Sequence, residues 1–116
     1  EINIGDWSSD VCSSDLGRKI TAIFTCNDLM AVGAINGCHR LGLKVPEDIS
    51  VVGFDNIVTS RFVEPKLTTI DQNMSLLGQS ATALLMEKIE SNNTVSDEII
   101  LENTLIKRDT AASVKK

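Results

Sequence analysis

Three polar side chains in this 116-residue chain stand where an apolar run stops. Asn27 and Asp28 follow Ile20 to Thr25 (ITAIFT), and Asp55 follows Ile49 to Phe54 (ISVVGF). In an open α/β sheet, ligands bind in the crevice outside the carboxyl ends of the strands, so these positions suit the reading of a polar small molecule. A carboxylate such as Asp55 accepts hydrogen bonds from two hydroxyls at once, and charge-assisted bonds are stronger than neutral ones. Asn27 offers both a donor and an acceptor, which suits a hydroxyl or a carbonyl. Plain structural roles compete: Asp55 as a loop cap, and Asn27 as a helix N-cap. Asp28 is the better N-cap candidate, because its carboxylate is suited to the free N–H groups of a first helical turn.

The elements that must position these groups follow from the pattern. Ile20 to Thr25, Ile49 to Phe54 and Leu67 to Ile70 are short β-rich runs and read as buried strands. Leu29 to Leu41 reads as a helix with Ala31, Ile35 and Cys38 inward. Gly33 and Gly37 would permit close packing on a sheet, and Gly42 is a stop signal. Pro46-Glu47-Asp48 marks a turn. Met74 to Ile89 reads as an amphipathic helix with Leu77, Ala81, Leu84 and Leu85 inward. Glu98 to Leu101 and Thr104 to Ile106 read as short final strands, and residues 111–116 as a frayed, disordered tail. Strands alternating with helices predict an α/β fold with a mostly parallel sheet flanked by helices. So few strands make a thin sheet with an exposed apolar edge, the pattern of a domain that has lost covering structure.

Residues 1–16 read differently. Asp6 to Leu16 (DWSSDVCSSDL) has neither helical period nor strand alternation, and it back-translates onto a standard sequencing adapter. This segment is expected to be non-native, with the biological sequence running from near Gly17. It carries four acids and no base, so without it the net charge of −5 becomes −1, with 12 acids against 11 bases. The acidic balance thus says nothing about partners. No apolar run approaches the roughly 18–20 residues of a membrane span. Cys26 and Cys38 have no metal spacing and are expected as small buried thiols. No basic stripe suggests a nucleic-acid surface. His39 has no nucleophile arrangement nearby, and no metal cluster, phosphate-cradling glycine loop or paired carboxylate is apparent. The chain reads as a non-enzyme without cofactor or metal.

Several linked motifs run in order: A-I-F-x-x-N-D-x-M-A-x-G-A from Ala22, G-L-x-V-P-x-D-I-S-V-V-G-F-D from Gly42, P-x-L-T-T-I-x-Q from Pro65, then a glycine-containing helix and L-I-x-R from Leu105. Together they resemble the carboxyl-terminal part of the effector-binding core of lactose-repressor/galactose-repressor regulators. The resemblance implies a partial periplasmic-binding-protein-like core spanning residues 17–110. Residues 17 to about 70 would belong to the second of two lobes, Met74 to about Asn92 to the first, and the last strands again to the second. It implies effector contacts from Asn27, Asp55, Gln72 and Met74, against a hinge hydrogen bond for Gln72 and a core role for Met74. It also implies a dimer interface involving Met30, Val32 and Val63, with an ordinary core role competing at Met30. The implied partners are a sugar-like effector, a second copy in the full-length protein, and operator DNA only through a headpiece outside this chain. The implied location is cytoplasmic, with no membrane partner. A periplasmic sugar-binding protein of an uptake system is the alternative carrying the same fold.

Overall fold

The computed structural model describes residues 19–92 and 94–115. The segment expected to be adapter-derived, residues 1–16, lies outside them. The elements run β1 (Ala22–Phe24), α1 (Asp28–Arg40), β2 (Ser50–Val52), a 3-10 turn (Val58–Arg61), β3 (Thr69–Asp71), α2 (Met74–Ser91) and β4 (Thr104–Ile106).

β1 and β2 pair in parallel, Ala22 opposite Ser50 and Phe24 opposite Val52. β3 and β4 pair antiparallel, Thr69 opposite Ile106. A parallel bridge between Val52 and Thr68 joins the two pairs, with Gly53 N–H donating to Thr68 O at 2.9 Å. β1, β2 and β3 are shorter than the apolar runs that predict them, while β4 coincides with Thr104 to Ile106. On its other side β2 is held by the chain after β4: Val51 N–H donates to Thr110 O at 2.8 Å. No strand forms at Glu98 to Leu101, contrary to the sequence expectation. Ile99 and Leu101 face Leu77, Ala81 and Leu84 of α2 across a shallow apolar pocket instead of lying along a sheet edge.

The core is a single layer between α1 and the sheet. Ala31, Ile35 and Cys38 recur along one helix face and meet Val45, Ile49, Val51 and Leu67, all buried. Ile49, Val51 and Gly53 alternate with half-buried Ser50 and Val52, the period of a strand with one face on the core. Val51 and Leu67 are fully buried, and each contributes roughly 1.5–3 kcal/mol by leaving water. Gly42 ends α1 with φ of +73°, the left-handed conformation that glycine adopts without steric cost. Gly33 and Gly37, expected to allow close packing, face open space. The close approach is at Gly53, where an added Cβ would collide with Asp28 Oδ1 and lie 3.0 Å from Leu67 Cδ2. Cys38 is buried as expected, but Cys26 is exposed, because it sits in the turn between β1 and α1 and not on the core face of either.

α2 departs from expectation most. No residue of it is buried; Leu84 is half-buried, while Leu77, Ala81 and Leu85 are exposed. The apolar face predicted to point inward exists, and Leu77, Ala81 and Leu84 on it face Ile99 and Leu101 and not a sheet. Residues 108–112 are well tied. Thr110 is fully buried, its hydroxyl donating to Val51 O at 2.6 Å and accepting from Thr68 N–H at 2.9 Å. Ala112, in the segment expected to fray, accepts from Ser50 Oγ and donates back to it.

Candidate functional site

The carboxyl ends of β1, β2 and β3 converge on one end of the sheet, and polar residues follow each. After β1, Asn27 caps α1: its Oδ1 accepts from Met30 N–H at 2.8 Å, and Thr25 Oγ1 donates to its carbonyl at 2.9 Å. Asn27 and not Asp28 is therefore the cap. Asp28 is structural as expected, but by another route. Its carboxylate, 1% exposed, accepts from Ile57 N–H at 2.8 Å and Thr69 Oγ1 at 2.5 Å. It thereby ties α1 to the loop after β2 and to β3. The cap uses only the oxygen of Asn27; its Nδ2 donates to no described residue, so capping and ligand contact are compatible.

After β2, Asp55 has φ of +112° and Asn56 φ of +55°. Two consecutive non-glycine residues in left-handed backbone cost of order 1–3 kcal/mol each and persist only where the surroundings over-determine them. Asp55 N–H donates to Ile70 O at 2.9 Å, and Asn56 N–H to Thr69 Oγ1 at 3.4 Å. After β3, Gln72 Nε2 donates to Asp55 Oδ1 at 2.5 Å, so two of the sequence-predicted site residues are in direct contact. Met74, the first residue of α2, is exposed beside them in sequence.

Sequence reasoning missed the neighbouring layer. Asn56 Nδ2 donates to Asp71 Oδ2 at 3.1 Å, and Asn56 Oδ1 accepts from Arg108 Nη2 at 2.7 Å and Ser60 Oγ at 3.3 Å. Arg108 Nη1 donates to Ser60 Oγ at 2.9 Å and Leu67 O at 2.8 Å. The Asn73 N–H beside Asp71, then the Asn56 amide, hold the Asp71 carboxyl below its ordinary value. Partial burial opposes this, and the positive charges of Arg61 and Arg108 add to it. Arg108 closes the L-I-x-R motif, a signal that marked the position without revealing its partners.

Of the residues implied at a dimer interface, Met30 is exposed, which removes the competing core role. Val32 is half-buried on α1, and Val63 packs against the core cluster. Among the described residues no group of His, Cys, Asp and Glu is arranged to hold a metal ion. No described helix is long and apolar enough to cross a membrane.

A parallel strand–helix–strand unit with polar residues gathered at the strand ends is the arrangement at which open α/β sheets bind ligands. The chain belongs to the periplasmic binding protein-like domain family, which it matches over residues 4–111, in the form carried by LacI-type regulators. It is 47% identical over 93 residues to the HTH-type transcriptional repressor PurR of Pasteurella multocida, covering 80% of this chain and 28% of that protein. A LacI family transcriptional regulator from Enterococcus faecalis, solved with bound ribose, superposes with a TM-score of 0.79 at 37% identity, covering 91% of this chain and 40% of that one. The lac repressor dimer bound to operator and the anti-inducer ONPF superposes with a TM-score of 0.76 at 37% identity, covering 87% and 35%. The chain thus spans well under half the length of these relatives.

Proposed function

We propose that this chain contributes one wall of the effector cleft of a LacI-type transcriptional repressor, reading a sugar-like ligand through Asn27, Asp55 and Gln72, with Met74 lining the edge. The observation that carries this is the Gln72–Asp55 contact at the carboxyl ends of β3 and β2. A carboxylate half-buried and preset by a neutral amide keeps lone pairs for vicinal hydroxyls. The relatives above are repressors and regulators, and one is solved with ribose, which favours this reading over a transport protein. Effector closure of two lobes would bias a DNA-competent against an incompetent form, as differential affinity for two states requires. Operator contact would come from a segment outside this chain. Met30 and Val32, on opposite flanks of the buried face of α1, with Val63, are proposed to meet a second copy. The chain carries no catalytic role in this reading, needs no cofactor and acts in the cytoplasm.

The test is a titration of the isotope-labelled chain with D-ribose and a panel of hexoses, followed by NMR. Shifts that saturate at Asn27, Asp55 and Gln72 are expected. An unmoved spectrum at those residues across the whole panel at high millimolar sugar would overturn the sugar reading.

A further inference from the structure

Beside Asp55 lies a cluster that sugar recognition does not account for. Asn56 spends its backbone N–H and both ends of its side-chain amide inside the protein: its N–H on Thr69, its Nδ2 on Asp71, and its Oδ1 on Arg108 and Ser60. The cluster draws on three separated parts of the chain: the turn after β2, the end of β3, and the residues after β4. No glycine at 55 or 56 makes the turn's positive φ angles easy, so distant groups must hold it. The two peptide units flanking the Asp55 Cα are both tied to β3, one through Ile70 O and the other through Thr69 Oγ1. What then fixes the turn from the other side is the Asn56 side chain, gripped between Asp71 and Arg108.

We propose that Asp71 and Arg108 are positioning residues that act through Asn56, clamping the left-handed Asp55–Asn56 turn so that the Asp55 carboxylate is presented to ligand already oriented. This rests on the reading of Asp55 as an effector contact. The chemistry demands an amide at position 56, because one end must donate to a carboxylate and the other must accept from a guanidinium. Aspartate at 56 would face Asp71 carboxylate to carboxylate. Exchanging the two, N56D/D71N, restores one donor and one acceptor across the same gap and leaves a carboxylate for Arg108. Lysine at 108 is a point charge that cannot reproduce the planar fork reaching Asn56, Ser60 and Leu67.

The test compares the 116-residue chain with N56D, R108K and N56D/D71N, reading Asp55 and Asn56 backbone torsions from NMR shifts and scalar couplings, and the response to D-ribose. N56D and R108K are expected to lose the left-handed signature at Asp55 and to weaken ribose by about tenfold, the effect of losing one charge-assisted bond; the exchange variant regains both. If N56D does not fold, R108K and the exchange variant carry the comparison. Unchanged Asp55 torsions in R108K, or an exchange variant that recovers the urea midpoint without the Asp55 torsions, would overturn the clamp. Torsions that follow the clamp in a wild-type chain that ignores ribose would uphold the clamp and sink the sugar reading instead.

Discussion

Gln72 Nε2 sits 2.5 Å from Asp55 Oδ1, joining residues 17 positions apart that follow neighbouring strands β3 and β2. The amide fixes one carboxylate oxygen and leaves the other directed by the backbone turn. Asp55→Asn removes the charge while keeping the shape. D-ribose affinity should fall by about ten- to a hundredfold, the 1.5–3 kcal/mol of a charged hydrogen bond, with the urea midpoint little changed. Gln72→Ala should weaken binding less, since the carboxylate remains. Chemical-shift titrations of the two variants give the comparison, and equal affinities for D55N and wild type would remove Asp55 from the site.

Asp28 is the buried tie of the fold. Asp28→Ala leaves the Ile57 N–H and the Thr69 hydroxyl without an acceptor, at about 1–3 kcal/mol for each buried group left unpaired. Asp28→Asn turns one acceptor into a donor facing a donor and should cost less. Urea denaturation of the three proteins orders them; an alanine variant as stable as wild type would mean that water replaces the carboxylate.

Asn27, Asp55 and Gln72 each lie within two residues of the end of an apolar run, so the local pattern places them at the sheet's carboxyl end. Asp71 directly follows the Leu67 to Ile70 run and Arg108 closes the L-I-x-R motif, but nothing local to them or to Asn56 shows that the three meet. Arg108 meets Asn56 across 52 residues of sequence, and only the tertiary fold brings them together. The choice of cap was misread because Asp28 and Asn27 have similar intrinsic preferences. Burial decided it, drawing Asp28 to Thr69 across the core. The inward face of α2 was correctly seen as apolar, but periodicity reports which face seeks cover and says nothing of whether this chain supplies it.

Gly53→Ala probes the closest approach of β2 to α1. The new methyl would displace Asp28 Oδ1, which cannot yield without loosening its bond from Thr69 and disturbing that of Oδ2 from Ile57, and would press on Leu67 and on Ala31 at 3.3 Å. Overpacking of this kind costs typically 1–3 kcal/mol. The urea midpoint should drop accordingly. Gly33→Ala, in open space within α1, should hold or raise it, because alanine is the better helix former by about 1 kcal/mol.

Asp71 gives a pH dependence with a defined sign. Its folded-state carboxyl lies below the ordinary value of 3.8 because the Asn73 N–H and the Asn56 amide favour the charged form. Folding therefore gains from this group in full above that value and loses the gain as pH falls through the lowered one. The urea midpoint should decline on acidification below 3.8, and Asp71→Asn should flatten that part of the profile. An identical acid limb in the variant would show that other carboxylates set it.

Leu76, Leu77, Leu85, Met86 and Ile89 are all exposed on α2, an 18-residue helix with no buried residue. Its described polar ties are Lys88 to Asp97 at 3.0 Å and to Val95 O, and exposed ion pairs contribute only about 0–1 kcal/mol. Isolated helices are marginal in water, and helices in proteins draw most of their stability from packing an apolar face. This many exposed apolar side chains on one helix promotes association. The chain alone should therefore melt over a broad range, bind a hydrophobic dye and grow in apparent mass with concentration. Leu77→Glu with Leu85→Glu should reduce dye binding and association without altering the β1–α1–β2 core, whose residues touch neither position. Light scattering across a concentration series decides: a sharp cooperative melt with a single concentration-independent mass for the unmodified chain would mean that the α2 face finds its cover within these 116 residues.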